Sequence, residues 1–323
     1  MLRLAHISDL HYTEANRERI SALIQIIRSS GIEHLIVTGD LTEDARSKHL
    51  EQVRDILAAQ GYSSSDTLTV IPGNHDLFGF IYQTFSDPKE VIGNIHSMRD
   101  LGKAFKTIWR FRKRMLIYND RAYQRDLCAF RSHFSGTYEH CLPVKGNRCG
   151  FPFVKLLPDN VALIGVDTNR YVPRVYNMLR ILGGTPNAIR TWDLAPMGEN
   201  LSGSTGYLDL ETTKAALELP EIRDRRKIVV MHHYLYTFAH AEMKSSAIYA
   251  REMRLLNRDA ITDLFISHHV DLVLHGHWHI DDAYPLDGAL GPRVLNGGGS
   301  LTSGFNRIEV NDGGIQFVVG AAG

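Results

Sequence analysis

Short apolar runs rich in Val, Ile and Leu recur along the chain, and each stops abruptly at polar residues. Leu2–Ile7 is followed by Ser-Asp-Leu-His, His34–Val37 by Thr-Gly-Asp, and Leu68–Ile71 by Pro-Gly-Asn-His-Asp. Further on, Val161–Val166 runs into Asp-Thr-Asn, Ile228–Met231 into His-His, and Val270–Leu274 into His-Gly-His-Trp-His. Runs of this length, bounded by glycine and proline, predict buried strands. Between the first two, Arg17–Ser30 carries Ile20, Leu23, Ile24 and Ile27 at helical spacing and stops at Gly31. His49–Ala59 repeats the pattern through Leu50, Val53, Ile56 and Leu57. This alternation predicts an α/β fold with helices covering the sheet. Ligands of such sheets bind beyond the carboxyl ends of the strands. Six of those ends would bring Asp, Asn and His side chains to one edge.

Two segments break the rhythm. Asn94–Ala129 reads as helical and basic, with nine Lys and Arg against three Asp. Tyr171–Gly206 is rich in Gly, Pro and Asn and reads as a long ordered loop. Both are expected as insertions over the sheet edge of a single domain spanning residues 1–323. The first would be a helical cap (94–129) and the second a loop (171–206).

Composition narrows the classes. The 323 residues are 44% hydrophobic and 22% charged, enough for a large core and too apolar for general disorder. Lys and Arg number 36 and Asp and Glu 36, so net charge gives no nucleic-acid signal. Three cysteines are too few and too odd for a disulfide framework, which points to a reducing, cytoplasmic setting. No leader pattern opens the chain, and no run of about eighteen apolar residues predicts a spanning helix.

The chemistry lies in the strand ends. Asp9-x-His11, Gly39-Asp40, Gly73-Asn74-His75-Asp76, His232-His233 and Gly276-His277-x-His279 follow in that order. Alternate residues at a strand end point to the same side, so Asp9 and His11 can share one ion. His277 and His279 can reach neighbouring ions from one short turn. Carboxylate mixed with imidazole suits Mn, Fe or Zn better than Mg or Ca, which prefer oxygen alone. Singly, each piece is weak: Asp-x-His is more often an ordinary turn, and Asp after Gly commonly caps a helix. Their joint order at strand ends carries the reading.

In that order the residues resemble the calcineurin-like metallophosphoesterases, whose signature is Asp-x-His, Gly-Asp, Gly-Asn-His-Asp/Glu, a later His and Gly-His-x-His. The match covers Met1–Leu77, Leu156–Asp167 and Gly206–Ser300, with Asn296-Gly-Gly-Gly as a weaker echo. The resemblance implies a four-layer α/β/β/α sandwich of two mixed sheets with two metals at one edge. By similarity Asp9, His11 and His279 would hold one ion, Asn74, His232 and His277 the other, and Asp40 would bridge them. His75 matches the histidine that contacts the phosphoryl oxygens or protonates the leaving alkoxide. Asp76 would orient His75 by accepting its other N–H. Two divalent ions against two carboxylates leave about two surplus positive charges, which attract a phosphate ester. A metal-bridging hydroxide would then attack phosphorus directly, with no covalent intermediate. His233 is expected to support a ligand, with contact to substrate as the alternative, and His6, His268, His269 and His275 are expected as supporting groups. Tyr234 follows the histidine pair where the family often has proline, which reshapes a pocket wall without removing a ligand.

The substrate expected first is a small phosphodiester, such as a cyclic nucleotide or a glycerophosphodiester. The alternative rests on Lys106–Tyr118, where Arg and Lys interleave with Trp109, Phe111, Met115, Leu116 and Ile117. Such a helix suits an anionic membrane surface and would present a lipid-linked phosphoester or pyrophosphate. A non-catalytic protein-binding scaffold ranks last, because every ligand and His75 are present.

Overall fold

The computed structural model describes residues 1–78, 120–169, 206–235, 255–287 and 291–321. The first half-sheet follows the apolar pattern: β1 (Leu2–Ile7), α1 (Arg17–Ser29), β2 (His34–Val37), α2 (Ser47–Ala59), β3 (Leu68–Val70) and the short α3 (Asn74–Phe78). After α4 (Asp120–His133) come β4 (Phe153–Leu157), β5 (Val161–Gly165), α5 (Leu210–Leu217), β6 (Arg226–Val230), α6 (Arg258–Ser267) and β7 (Leu272–His275). The chain ends through β8 (Asp281–Pro285), β9 (Arg293–Gly297), α7 (Ser300–Ser303), β10 (Phe305–Asn311) and β11 (Gly314–Ala321).

Two mixed sheets result. One has the order β11-β10-β1-β2-β3, the other β4-β5-β6-β7-β9-β8. β1, β2 and β3 are mutually parallel, as are β5, β6, β7 and β9, while β10 returns antiparallel beside β1.

Side-chain alternation explains the layering. On β6, Ile228 and Val230 join the cluster packed against the first sheet, whereas Val229 joins the cluster under α5 and α6. β7 repeats this: Leu272 and Leu274 face one way and Val273 the other. Both faces of the strands are apolar because both are covered. α1 and α2 cover the outer face of the first sheet through Ile20, Ile24, Ile27, Val53 and Leu57. Each such side chain contributes about 1.5–3 kcal/mol relative to exposure. The expected four-layer sandwich is the observed architecture.

Of the expected cap, residues 94–119 lie outside the described residues, as do 171–205 of the loop. α4 begins inside the expected cap and places Tyr123, Leu127, Phe130 and Phe134 on one stripe, all in the main core. The expectation of reduced cysteines is corrected for one pair. Cys128 on α4 and Cys149 before β4 form a disulfide with their Cα atoms 5.0 Å apart, and Cys141 remains free. An odd count could not reveal a pair assembled by the packing of α4 against a loop 21 residues away.

Candidate metal centre

The carboxyl ends of both parallel strand sets meet along one seam. Asp9 and His11 follow β1, Asp40 follows β2, and Asn74 opens α3 after β3. From the other sheet, His232 follows β6, and His277 and His279 follow β7. Four of these residues take left-handed backbone conformations without being glycine: Asp9 (φ 55°), His11 (φ 43°), Asp40 (φ 51°) and His277 (φ 74°). Each such residue costs on the order of 1–3 kcal/mol and persists only where its surroundings hold it, which is typical of functional sites. The glycines of the motifs have a matching reason. Gly39 has φ 98°, and a Cβ there would lie 2.6 Å from both Gly73 N and His232 Nδ1. A Cβ on Gly73 would collide with the Asp40 carboxylate.

The ligand-type atoms converge into groups. Asp9, His11 and His279 form one group and Asp40, His232 and His277 another, each with donor atoms within 4.8 Å of one another. His11 Nε2 and His279 Nε2 are 3.1 Å apart, as are His277 Nδ1 and His232 Nε2. Asn74 Oδ1 lies 2.9 Å from His232 Nε2. Metal–nitrogen bonds of about 2.0–2.1 Å put adjacent ligand atoms roughly 3.0–3.4 Å apart, so this spacing is that of donors around an ion. Asp40 Oδ2 faces both groups, 3.9 Å from His11 Nε2 and 3.5 Å from His232 Nε2. Its other oxygen accepts the His75 backbone N–H at 2.8 Å. Asp9 Oδ1 is buried and makes no well-aligned hydrogen bond, its neighbours being His279 Nε2 at 3.4 Å and His11 Nε2 at 3.9 Å, and an under-satisfied carboxylate oxygen is costly. A cation between these groups removes that cost. The donor set therefore fits two ions.

Outer contacts fix the ligands. His232 Nδ1 donates to the Thr38 carbonyl at 2.8 Å, which leaves Nε2 facing the donor group. Asp9 Oδ2 accepts the His277 backbone N–H at 2.9 Å and so links the two sheets. His233 is buried, bonds Thr168 Oγ1 at 2.8 Å and packs its ring 4.5 Å from that of His277. His268 sits at the end of α6, bonded to the Leu264 carbonyl and paired with Glu218.

Charges are arranged for cations. Burial disfavours the charged forms of His11 and His232, yet neighbouring carboxylates outweigh it and push both up to about 9. For His11 these are Glu43, Asp40 and Asp9; for His232 they are Asp40 and Asp9. Burial opposes ionisation of Asp40 as well, but His232 and His75 hold it well below the usual carboxylate range. In the metal-free protein, protons on the imidazoles thus occupy the place of cations at neutral pH. Metal uptake is expected to release at least one proton per chain at pH 7, and apparent affinity to rise as pH climbs toward about 9. Calorimetry in buffers of different ionisation enthalpy counts those protons, and a value of zero would contradict the charge assignment.

One expected role is corrected. Asp76 does not accept from His75; its oxygens take the backbone N–H groups of Gly73, Leu41 and Thr42 and the Thr42 hydroxyl. Neighbouring helical residues diverge around the axis, so Asp76 points back at its own turn while His75 faces the seam. Burial, then the nearby Asp40 charge, pushes Asp76 up to about 6. Asp76 is a staple between two ligand loops. The residue beside His75 is Glu43, whose carbonyl lies 3.1 Å from His75 Nδ1 and whose carboxylate is 4.0 Å from it. The same carboxylate lies 2.8 Å from His11 Nδ1. An acidic residue three places after Asp40 in a loop carries no local sign of this contact.

Residues 2–281 match a family model described as calcineurin-like phosphoesterase. No curated protein matches the chain in sequence. Among solved structures, a dimetal phosphatase from Danio rerio superposes with a TM-score of 0.54 at 13% identity, over 98% of both chains. That likeness shows the fold. A purple acid phosphatase from yellow lupin seeds gives a TM-score of 0.46 at 14% identity, covering 97% of this chain and 47% of that one.

Proposed function

The chain belongs to the calcineurin-like phosphoesterase family of metal-dependent phosphoester hydrolases with dinuclear centres, and on that premise we propose that it is a phosphodiesterase for a small diester, such as a cyclic nucleotide or a glycerophosphodiester. The observation that carries this reading is the pair of donor groups with Asp40 Oδ2 facing both and His75 beside them. Asp9, His11 and His279 would hold one ion, Asn74, His232 and His277 the other. Mn, Fe or Zn suits this mixture of oxygen and imidazole nitrogen. Bound there, the ions would supply polarisation of the phosphoryl group and activation of water.

The chain's own groups do the rest. His75, donating through Nδ1 to the Glu43 carbonyl, is held edge-on to His11 with ring centroids 4.6 Å apart. Its Nε2 is the atom assigned to protonating the leaving oxygen. The Glu43 carboxylate adds negative charge beside His11 and His75. That charge disfavours a dianionic monoester more than a monoanionic diester, which supports the diester reading. Purified protein loaded separately with Mn, Fe, Zn and Mg should be compared on bis(p-nitrophenyl) phosphate and p-nitrophenyl phosphate. A higher kcat/KM on the diester is expected; a tenfold preference for the monoester would overturn the reading.

The lipid-linked alternative rests on residues 106–118, which lie outside the described residues. Among the described residues no helix is long and apolar enough to cross a membrane. Neutralising Arg110, Arg112, Lys113 and Arg114 together is expected to raise KM for anionic substrates more than it lowers kcat, an effect that fades with salt. Sedimentation with anionic vesicles discriminates the readings. No binding fits a soluble diester, whereas strong binding lost in that variant would overturn it in favour of a lipid.

A further inference from the structure

Behind the ligand loops lies a buried polar chain that none of the motif residues explains. Its hub is Asn306 on β10, 1% exposed and 27 residues beyond the last expected ligand, His279. Asn306 Nδ2 donates to the Asn296 carbonyl at 2.9 Å and to His6 Nδ1 at 3.2 Å, and its Oδ1 accepts the Gly320 N–H at 3.3 Å. Each arm continues to a ligand. On one, Asn296 Nδ2 donates to the Trp278 carbonyl at 3.0 Å, the peptide group between His277 and His279. On the other, an amide nitrogen can only donate, so His6 Nδ1 accepts and His6 Nε2 carries the proton. That Nε2 donates to Thr38 Oγ1 at 2.9 Å, and the Thr38 carbonyl accepts from His232 at 2.8 Å. Burial, foremost, pushes His6 down to about 3, so it stays the neutral imidazole this chain of donors requires.

The arms also span the seam. His6, Thr38 and Asn306 belong to or follow strands of the first sheet, while Asn296, Trp278 and His232 belong to or follow strands of the second. The sheets carry different ligands, so their relative placement sets the distances between donors. We propose that Asn306 is a positioning residue for the metal centre, holding the His277–His279 turn and the His232 imidazole in fixed relation through Asn296 on one arm and His6–Thr38 on the other.

This rests on the ligand assignment above, and the test separates the two. Mn²⁺ or Zn²⁺ is titrated calorimetrically into metal-stripped parent, Asn306→Leu, Thr38→Val and the double variant, with denaturant unfolding of each metal-free protein alongside. Asn306→Leu is expected to weaken metal binding by more than about twofold and at most by the roughly 10–100-fold that follows loss of a group bonded directly to a ligand. Thr38→Val, nearly isosteric, should shift affinity in the same direction by less. The double variant should fall short of the product of the two effects, because Thr38 lies on one of the Asn306 arms. A purely structural role would lower metal-free stability and leave metal affinity within about twofold of the parent, which overturns the proposal. Should Asn306→Leu fail to fold, Thr38→Val decides by the same criterion. A parent that binds no metal overturns the ligand assignment and this inference together. A parent that binds two ions beside unaffected variants overturns this inference alone.

Discussion

Replacing His75 with alanine is expected to lower turnover by roughly 10²–10⁴-fold, the range for a lost general acid, while metal content stays near that of the parent. The argument is geometric. The His75 ring stands 4.6 Å from that of His11, and its Nδ1 is engaged by the Glu43 carbonyl. The His75 backbone N–H does hold Asp40, but alanine keeps that bond. The variant therefore separates proton transfer from ligand placement. The loss should shrink for substrates whose leaving groups need little protonation, such as nitrophenolates. Turnover assays across leaving groups, with metal analysis in parallel, check this. Loss of metal from the alanine variant would show His75 to be a ligand, as its grouping with His11 and Asp40 within 4.8 Å allows.

Asp40→Asn is expected to do the reverse, removing metal first and activity as a consequence. Asp40 Oδ2 faces both donor groups, and its charge is balanced by His232, His75 and His11. Asparagine keeps the shape and can still accept the His75 N–H. It offers the ions no negative charge, and its NH₂ group cannot bridge. The parent should carry two ions per chain and the variant fewer than one, with hydrolysis falling to the level of metal-stripped parent. Two ions retained in the variant would remove Asp40 from the bridging position.

The fold was legible at most strands buried on both faces, although β4 and β9, whose apolar runs are interrupted by Lys155 and Asn296, escaped the pattern. Leu2–Ile7 and His34–Val37 coincide with β1 and β2, and Leu68–Ile71 overshoots β3 by one residue. Such runs are continuous in sequence because neither face meets water. The half-exposed strands escaped notice. β10 alternates buried Ile308 and Val310 with partly exposed Arg307 and Glu309, and β11 exposes Gln316 and Val318. The Asp312-Gly313 pair between them is a hairpin signal that could have announced both. At the site, the candidate ligands were legible because each sits where a strand ends. Glu43 was not, since an acidic residue in a loop gives no local sign of which imidazole it will meet. Asp76 was read from its neighbour in sequence, and helix geometry turned it elsewhere. The Asn306 hub lies on a strand the apolar pattern did not reveal.

The placement of β1 has a consequence for the order of assembly. β1 lies between β2, its parallel neighbour, and β10, with Leu2 registered against Val310 and His6 against Asn306. Pairings so distant along the chain carry a large loop-closure entropy and slow the search for the native topology. β1, made well before β10, gains its second neighbour only when residues 305–311 have been made. The edge that presents Asp9 and His11 therefore matures late, after the helices that flank it can already have formed. Metal capture is expected at the closing stage of folding, and a chain truncated before β10 would carry every candidate ligand named here while lacking a neighbour of the strand that precedes Asp9.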